Sequence, residues 1–267
     1  ARARVYGLEF AGGTILAVAT AQDQCTAIGA GGNGYADIRI TGGSVTAISY
    51  TTGTAIGGGI GHLSAGGGAK VTIEGGEVYA YNLGQPYELT CDTQTSRDYR
   101  FVPGTAIGGG SSYESAGNSG NVTITGGKIY AYSNGGSGIG GGNSILSYGG
   151  SATLKINEGE VTSYGFIPNE ESLKIQTILE NLQVQVLNNV TNGGTIQTNT
   201  IAPFDARIEG AGIGGGSGQV GNGGTATITI NGGYLDASSI GGGNSQEAKG
   251  ASATVNVNGG TIRCETI

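Results

Sequence analysis

The chain has no tryptophan and no methionine, and among its 267 residues it carries one histidine, three cysteines and four prolines. A sole histidine, His62, cannot be shared among catalytic triads, and no serine motif surrounds it, so a loop position is expected for it. One histidine with three scattered cysteines cannot make a zinc site of ordinary composition, so no metal site is expected. Charged residues are scarce at 12%, with 12 basic against 19 acidic side chains and a net charge of −7. A negative chain lacks the basic face that phosphate backbones require, which excludes nucleic acid as a partner. The longest apolar run, Ile15 to Ala19, is far short of the ~20 residues that span a bilayer, and no membrane span is expected. No apolar signal core opens the chain.

What is abundant is glycine, at 57 residues, together with 37% hydrophobic residues. The glycines follow no Gly-X-Y period, which excludes collagen, and the hydrophobic content still permits a packed core. Two signatures alternate. The first is a strand-like run, a glycine pair and a second run, as in Val71-Thr-Ile-Glu-Gly-Gly-Glu-Val-Tyr-Ala80 and Val122-Thr-Ile-Thr-Gly-Gly-Lys-Ile-Tyr-Ala131. The second is Ile-Gly-Gly-Gly, beginning at Ile56, Ile107, Ile139, Ile213 and Ile240, with Ile28-Gly-Ala-Gly as a variant. Successive glycine pairs (Glu158-Gly159 in the fifth unit) are separated by 30, 33, 51, 32, 74 and 27 residues. The two long steps carry insertions over residues 82–104 and 165–210, and their removal leaves a period of about 30 residues, which marks a solenoid.

Within each unit apolar residues alternate with polar ones. Leu8, Ile38, Val71, Val122, Leu154, Ile228 and Val255 share one register, and Phe10, Ile40, Ile73, Ile124, Ile156, Ile230 and Val257 follow two residues later. After the glycine pair come Ile15, Val45, Val78, Ile129, Val161, Leu235 and Ile262, then a small residue from Ala17 to Cys264. Period two means strands whose like-numbered positions face one interior. The glycine pair turns a corner that demands positive φ, and Ile-Gly-Gly-Gly forms a tight third side. The fold expected is all-β: one right-handed parallel β-helix domain over 1–267, of about seven coils with two loop insertions. Neither end shows a cap, so either a piece of a longer repeat protein or a subunit associating end to end into filaments is expected.

Both insertions leave the rod at the same corner on coils separated by one, so they are expected to wall a groove floored by Ser133-Asn134-Gly135-Gly136. The first wall carries Cys91, Asp92, Arg97, Asp98, Tyr99 and Arg100; the second carries Glu170, Glu171, a stretch from Ser172 to Val186 read as helix or extra coil, and Asp205, Arg207 and Glu209. If the chain is a carbohydrate-active enzyme, a glycosidase or lyase, its acid and base come from Asp92, Asp98, Asp205 and Glu209. Tyr79, Tyr81, Tyr130, Tyr132 and Tyr164 fall on outward positions of neighbouring strands, where a ladder of rings offers flat faces to sugars. With Arg97, Tyr99 and Arg100 they form the expected ligand-binding set. Gly31-Gly-Asn-Gly-Tyr-Ala-Asp37 resembles a calcium-binding turn with its Asp shifted by one; structural calcium is the sole cofactor left open. A Cys25–Cys91 bridge would fit an oxidising compartment. Outward Thr72, Thr123 and Thr229 would suit an ice-binding face, but Arg39, Lys155 and Asn256 interrupt the column and argue against it.

Ala55-Ile-Gly-Gly-Gly59 and Ala106-Ile-Gly-Gly-Gly110, combined with Val-Thr-Ile-Thr-Gly-Gly-Lys-Ile-Tyr-Ala, resemble the glycine-rich repeats of large secreted or surface-displayed microbial proteins of the parallel β-helix kind. Some β-helix proteins of that kind bind plant or microbial polysaccharides or act as adhesins. The resemblance implies an extracellular or cell-surface, non-catalytic module whose partner is a polysaccharide or cell-surface glycan. It carries over no catalytic residues.

Overall fold

The structure, a computed structural model, describes residues 7–19, 25–50, 53–61, 63–84, 103–182 and 211–267. Its strands form parallel ladders in which each repeat lies beside the next, the all-β stacking that a solenoid requires. The first ladder has seven strands: Leu8–Phe10, Ala36–Ile40, Ala69–Ile73, Gly120–Ile124, Ala152–Ile156, Ala226–Ile230 and Ala253–Val257. The second joins Thr14–Ala19, Ser44–Ser49, Glu77–Asn82, Lys128–Ser133, Glu160–Tyr164, Tyr234–Gly241 and Thr261–Thr266 in the same way. The third is made of the Ile-Gly pairs Ile28–Gly29, Ile56–Gly57, Ile107–Gly108, Ile139–Gly140 and Ile213–Gly214, closed by Ile240 and Gly241 of the long strand.

Register follows the apolar columns. Val71 pairs with Val122, which pairs with Leu154, which pairs with Ile228. A slip of one residue would turn every Ile and Val outward, so burial pins the alignment. Ile38, Ile40, Ile56, Ile73, Ile107, Ile124, Ile129, Ile139 and Ile156 are fully buried between the three ladders. In the outermost rows Leu8, Phe10, Ile15, Val255, Ile262 and Cys264 pack against this core but are only partly buried. Cys264 lies in the inward small-residue column yet is not a fully buried thiol, because its strand pairs on one side only.

Corners differ in chemistry. At the glycine pair the second glycine takes positive φ, as at Gly127 with +91°, and a Cβ there would lie 2.8 Å from the Gly76 carbonyl oxygen. Beside this corner Asn258 donates to Asn231 (2.8 Å) and Asn231 to Asn157 (2.7 Å), a ladder of amides running along the stack. At the turn after the Ile-Gly pair, Ser112, Ser144 and Ser245 accept from the N–H three residues on. Their hydroxyls donate to Ser64, Ser115 and Gly221 carbonyls in the preceding repeat.

The glycines flanking that serine turn explain the composition. In each repeat the chain runs out along one glycine segment and back along another, and the two backbones meet with no side chain between them. Gly67 N–H donates to Gly59 O (2.6 Å), Gly110 N–H to Gly67 O (2.7 Å) and Asn118 N–H to Gly110 O (2.9 Å). The thread continues through Gly142, Gly150, Gly216, Gly224 and Gly243 to Ala251. A Cβ on Gly58 would stand 1.9 Å from Gly67 O, and one on Gly66 would stand 1.9 Å from Gly110 O. These buried peptide groups satisfy one another across the seam.

Candidate functional site

The outer face of the second ladder carries the aromatic side chains. Strand alternation sends Val78 and Ala80 inward and Tyr79 and Tyr81 outward, and the same holds for Ile129, Ala131, Tyr130 and Tyr132. Parallel register sets Tyr130 beside Tyr79 and Tyr132 between Tyr81 and Tyr164. The rings stack accordingly: Tyr79 and Tyr130 centroids lie 4.7 Å apart at 11°, and Tyr81 and Tyr132 lie 5.7 Å apart at 17°. Tyr164 meets Tyr132 edge-on at 5.8 Å and stacks on Phe166 at 5.1 Å. The vertical file of tyrosines read from the sequence is therefore present.

Its exposure differs from that reading. Tyr81 and Tyr132 are 2% and 5% exposed, because a helix, Asn169–Asn181, lies over them. Ile175 of this helix is buried with Ile48, Tyr50, Tyr81, Leu83 and Tyr132, while Ile178 and Leu179 pack at the margin with Tyr79, Tyr130 and Tyr164. Of the stretch from Ser172 to Val186 expected as helix or extra coil, the part up to Asn181 is a helix, which starts three residues earlier, and residues 183–186 lie outside the described residues. Its spacing of Glu171, Ile175, Ile178 and Leu179 is one helical face, the signal that locates the contact. Glu171, 5% exposed, accepts from the Tyr81 hydroxyl (2.7 Å) and from Lys174. A carboxylate buried under a helix is tolerated because both partners reach it.

Tyr79 and Tyr130, nearer the glycine corner, and Tyr164, beyond Tyr132 along the file, keep partly exposed rims. Tyr79 donates to Glu77 (2.9 Å), and Tyr164 donates to Asp236 (3.0 Å), which also lies 3.7 Å from Arg263. Lys128 and Glu160 pair at 3.3 Å on the neighbouring outward column. Burial, then the bond to Glu77, pushes the Tyr79 phenol up to about 12; burial, then Asp236, does the same to Tyr164. Burial also raises Tyr81 and Tyr132 well above the ordinary phenol value, with Glu171 adding to both. Each phenol holds its proton more tightly in the folded chain than in the unfolded one. For Tyr79 and Tyr164 the contribution to stability is present below the unfolded value of ~10 and is lost as pH rises toward about 12. The part of the tyrosinate absorbance that Tyr79→Phe and Tyr164→Phe remove from the wild-type curve is accordingly expected to fall in that window. Its appearance at pH 10 in the folded chain would contradict this.

The expected groove is corrected in one respect. Its floor is not open: Ser133, Asn134, Gly135 and Gly136 are all buried. Ser133 donates to Gly104 O (2.7 Å) and Asn134 to Leu83 O (3.0 Å), so the floor is tied into the adjoining segments. Asn82, taken as the start of the first insertion, is the last residue of its strand. Asp92, Asp98, Asp205 and Glu209, the acid and base candidates, lie outside the described residues, as do Arg97, Tyr99, Arg100, Cys91 and His62. Among the described residues no cluster of three or more metal-ligating side chains occurs, and no helix is long and apolar enough to cross a membrane. The threonine column on the first ladder is interrupted as read, with Arg39 beside Thr72, and Thr229 between Lys155 and Asn256. Compared with family models, curated proteins and solved structures, the chain matches none.

Proposed function

We propose that this chain is a non-catalytic, extracellular binding or adhesion module for polysaccharide, wound as a right-handed parallel β-helix of about seven coils. The winding is supported by three parallel ladders in common register and by the right-handed twist of strands, which makes right-handed crossovers the rule. The observation that carries the binding reading is the stacked pair Tyr79 and Tyr130, with Glu77 bonded to the Tyr79 hydroxyl. The rings cover each other's faces, so their outward rims offer apolar edges to the C–H groups of a sugar, and the carboxylate at Tyr79 accepts sugar hydroxyls. Tyr164 with Phe166 repeats the arrangement further along the stack. A face extended over several rungs suits a polymer better than a small solute, because weak contacts at successive rungs add. The glycine-, threonine-, asparagine- and serine-rich composition supports an extracellular location.

The test is polysaccharide binding by affinity electrophoresis, on neutral and acidic polymers, for the wild-type chain and the double variant Tyr79→Ala, Tyr130→Ala. Binding is expected to weaken at least about tenfold, the equivalent of ~1.4 kcal/mol. Equal retardation of the folded double variant and the wild type would overturn the reading.

A further inference from the structure

We propose that the helix Asn169–Asn181 is a displaceable cover, and that Tyr81 and Tyr132 beneath it are deeper subsites for the same polysaccharide. The inference rests on the function proposed above. Tyr81, Tyr132 and Tyr164 are register partners on successive strands. Their alignment is set by the backbone ladder and not by the helix, so the platform is assembled whether or not the helix is seated.

The helix is attached lightly. Its one fully buried apolar residue is Ile175, and Leu173 on its outer side is 66% exposed. No side chain caps its N-terminus, where Pro168 stands, and its last turn carries no basic residue. Its C-cap, Leu182, is in αR rather than the left-handed conformation of a glycine stop. A helix of 13 residues is marginal alone, so this one persists by packing and belongs to the first parts of the molecule to open. Phe166, stacked on Tyr164, anchors the segment that leads into it.

What the helix offers the tyrosines, a sugar offers too. Ile175 packs aliphatic carbon against the rings, and Glu171 supplies an oxygen acceptor to the Tyr81 hydroxyl. A pyranose presents an aliphatic face and hydroxyl oxygens in the same combination. Helix and polysaccharide therefore compete for one platform, and the wild-type affinity is reduced by the fraction of molecules in which the helix is seated.

Two variants open the cover without altering a tyrosine: Ile175→Glu, which removes its anchor, and Gln176→Pro, which breaks the helix from its exposed side. Both are expected to bind polysaccharide about tenfold more tightly than the wild type, a gain abolished by adding Tyr81→Ala and Tyr132→Ala. Hydrogen exchange in residues 169–181 of the wild type is expected to accelerate when polysaccharide is added. If either variant keeps its β-sheet signal yet binds no better, or if exchange in the helix is unchanged in the bound wild type, the cover proposal fails. Sensitivity of wild-type binding to Tyr79→Ala, Tyr130→Ala would then leave the outer site standing. Absence of binding in the wild type and both variants overturns the outer site and the cover together.

Discussion

Gly108→Ala is expected to abolish cooperative folding, whereas Gly241→Ala is expected to leave the melting temperature within a few degrees of wild type. Both glycines follow an isoleucine on the third ladder. A Cβ on Gly108 would lie 2.0 Å from the Gly140 carbonyl oxygen, at a φ of +141° that an L side chain rarely adopts. Gly241 has nothing within 4 Å of the equivalent atom. The obstruction at Gly108 is backbone in the next repeat, so relief requires separating two rungs. The positive φ alone costs about 1–3 kcal/mol, and the overlap brings the total above ~4 kcal/mol, a large share of a domain's stability. Thermal melts by circular dichroism compare the two. Equal melting temperatures would show that the ladder spacing described here is not that of the folded chain.

That pair of glycines also shows where sequence reading succeeds and where it stops. Period-two alternation is local, so Ile38, Val71 and Val122 declared their face and register without reference to anything else. The glycine pair and the Ile-Gly-Gly-Gly run declared two corners. The seam at Gly66, Gly67, Gly117, Gly149 and Gly224 was not legible, because a glycine's absence of side chain does not say which backbone comes close to it. Tyr81 and Tyr132 make the same point for the candidate site. Alternation fixes their direction, outward, but the cover comes from a distant part of the chain, 90 positions beyond Tyr81 in the Tyr81–Glu171 bond.

Tyr81→Ala is expected to release the helix while the ladders persist. The ring is almost wholly buried between Tyr132, Tyr79 and the helix, and truncating a buried aromatic costs about 3–5 kcal/mol. The change also takes a donor from Glu171, leaving a buried carboxylate with Lys174 alone, for roughly a further 1–3 kcal/mol. A docked helix of 13 residues cannot absorb such a loss and remain seated. The measurement is loss of the helical 222 nm signal contributed by residues 169–181, with the main thermal transition retained. Tyr81→Phe keeps the ring and removes only the hydroxyl, so it is expected to loosen the helix by about 1–2 kcal/mol. A full helical signal in Tyr81→Ala would show that packing at Ile178 and Leu179 suffices.

Past the first repeat, where Gly29 to Ala36 is five residues shorter than its later counterparts, length varies at one corner alone. From Gly57 to Ala69 the chain covers the same number of residues as from Gly108 to Gly120, Gly140 to Ala152, Gly214 to Ala226 and Gly241 to Ala253. The step from Ile73 to Glu77 likewise recurs from Ile124 to Lys128 and Ile230 to Tyr234. The return to the third ladder instead runs from Ser133 to Ile139 in one repeat and from Tyr164 to Ile213 in the next. Since each doubling of a closed loop costs only about 0.6 kcal/mol, a layer can host a passenger there at little expense to the layers above and below. The molecule thus works as a rack with one loading bay per shelf, and new cargo can be fitted at that bay without re-cutting the frame.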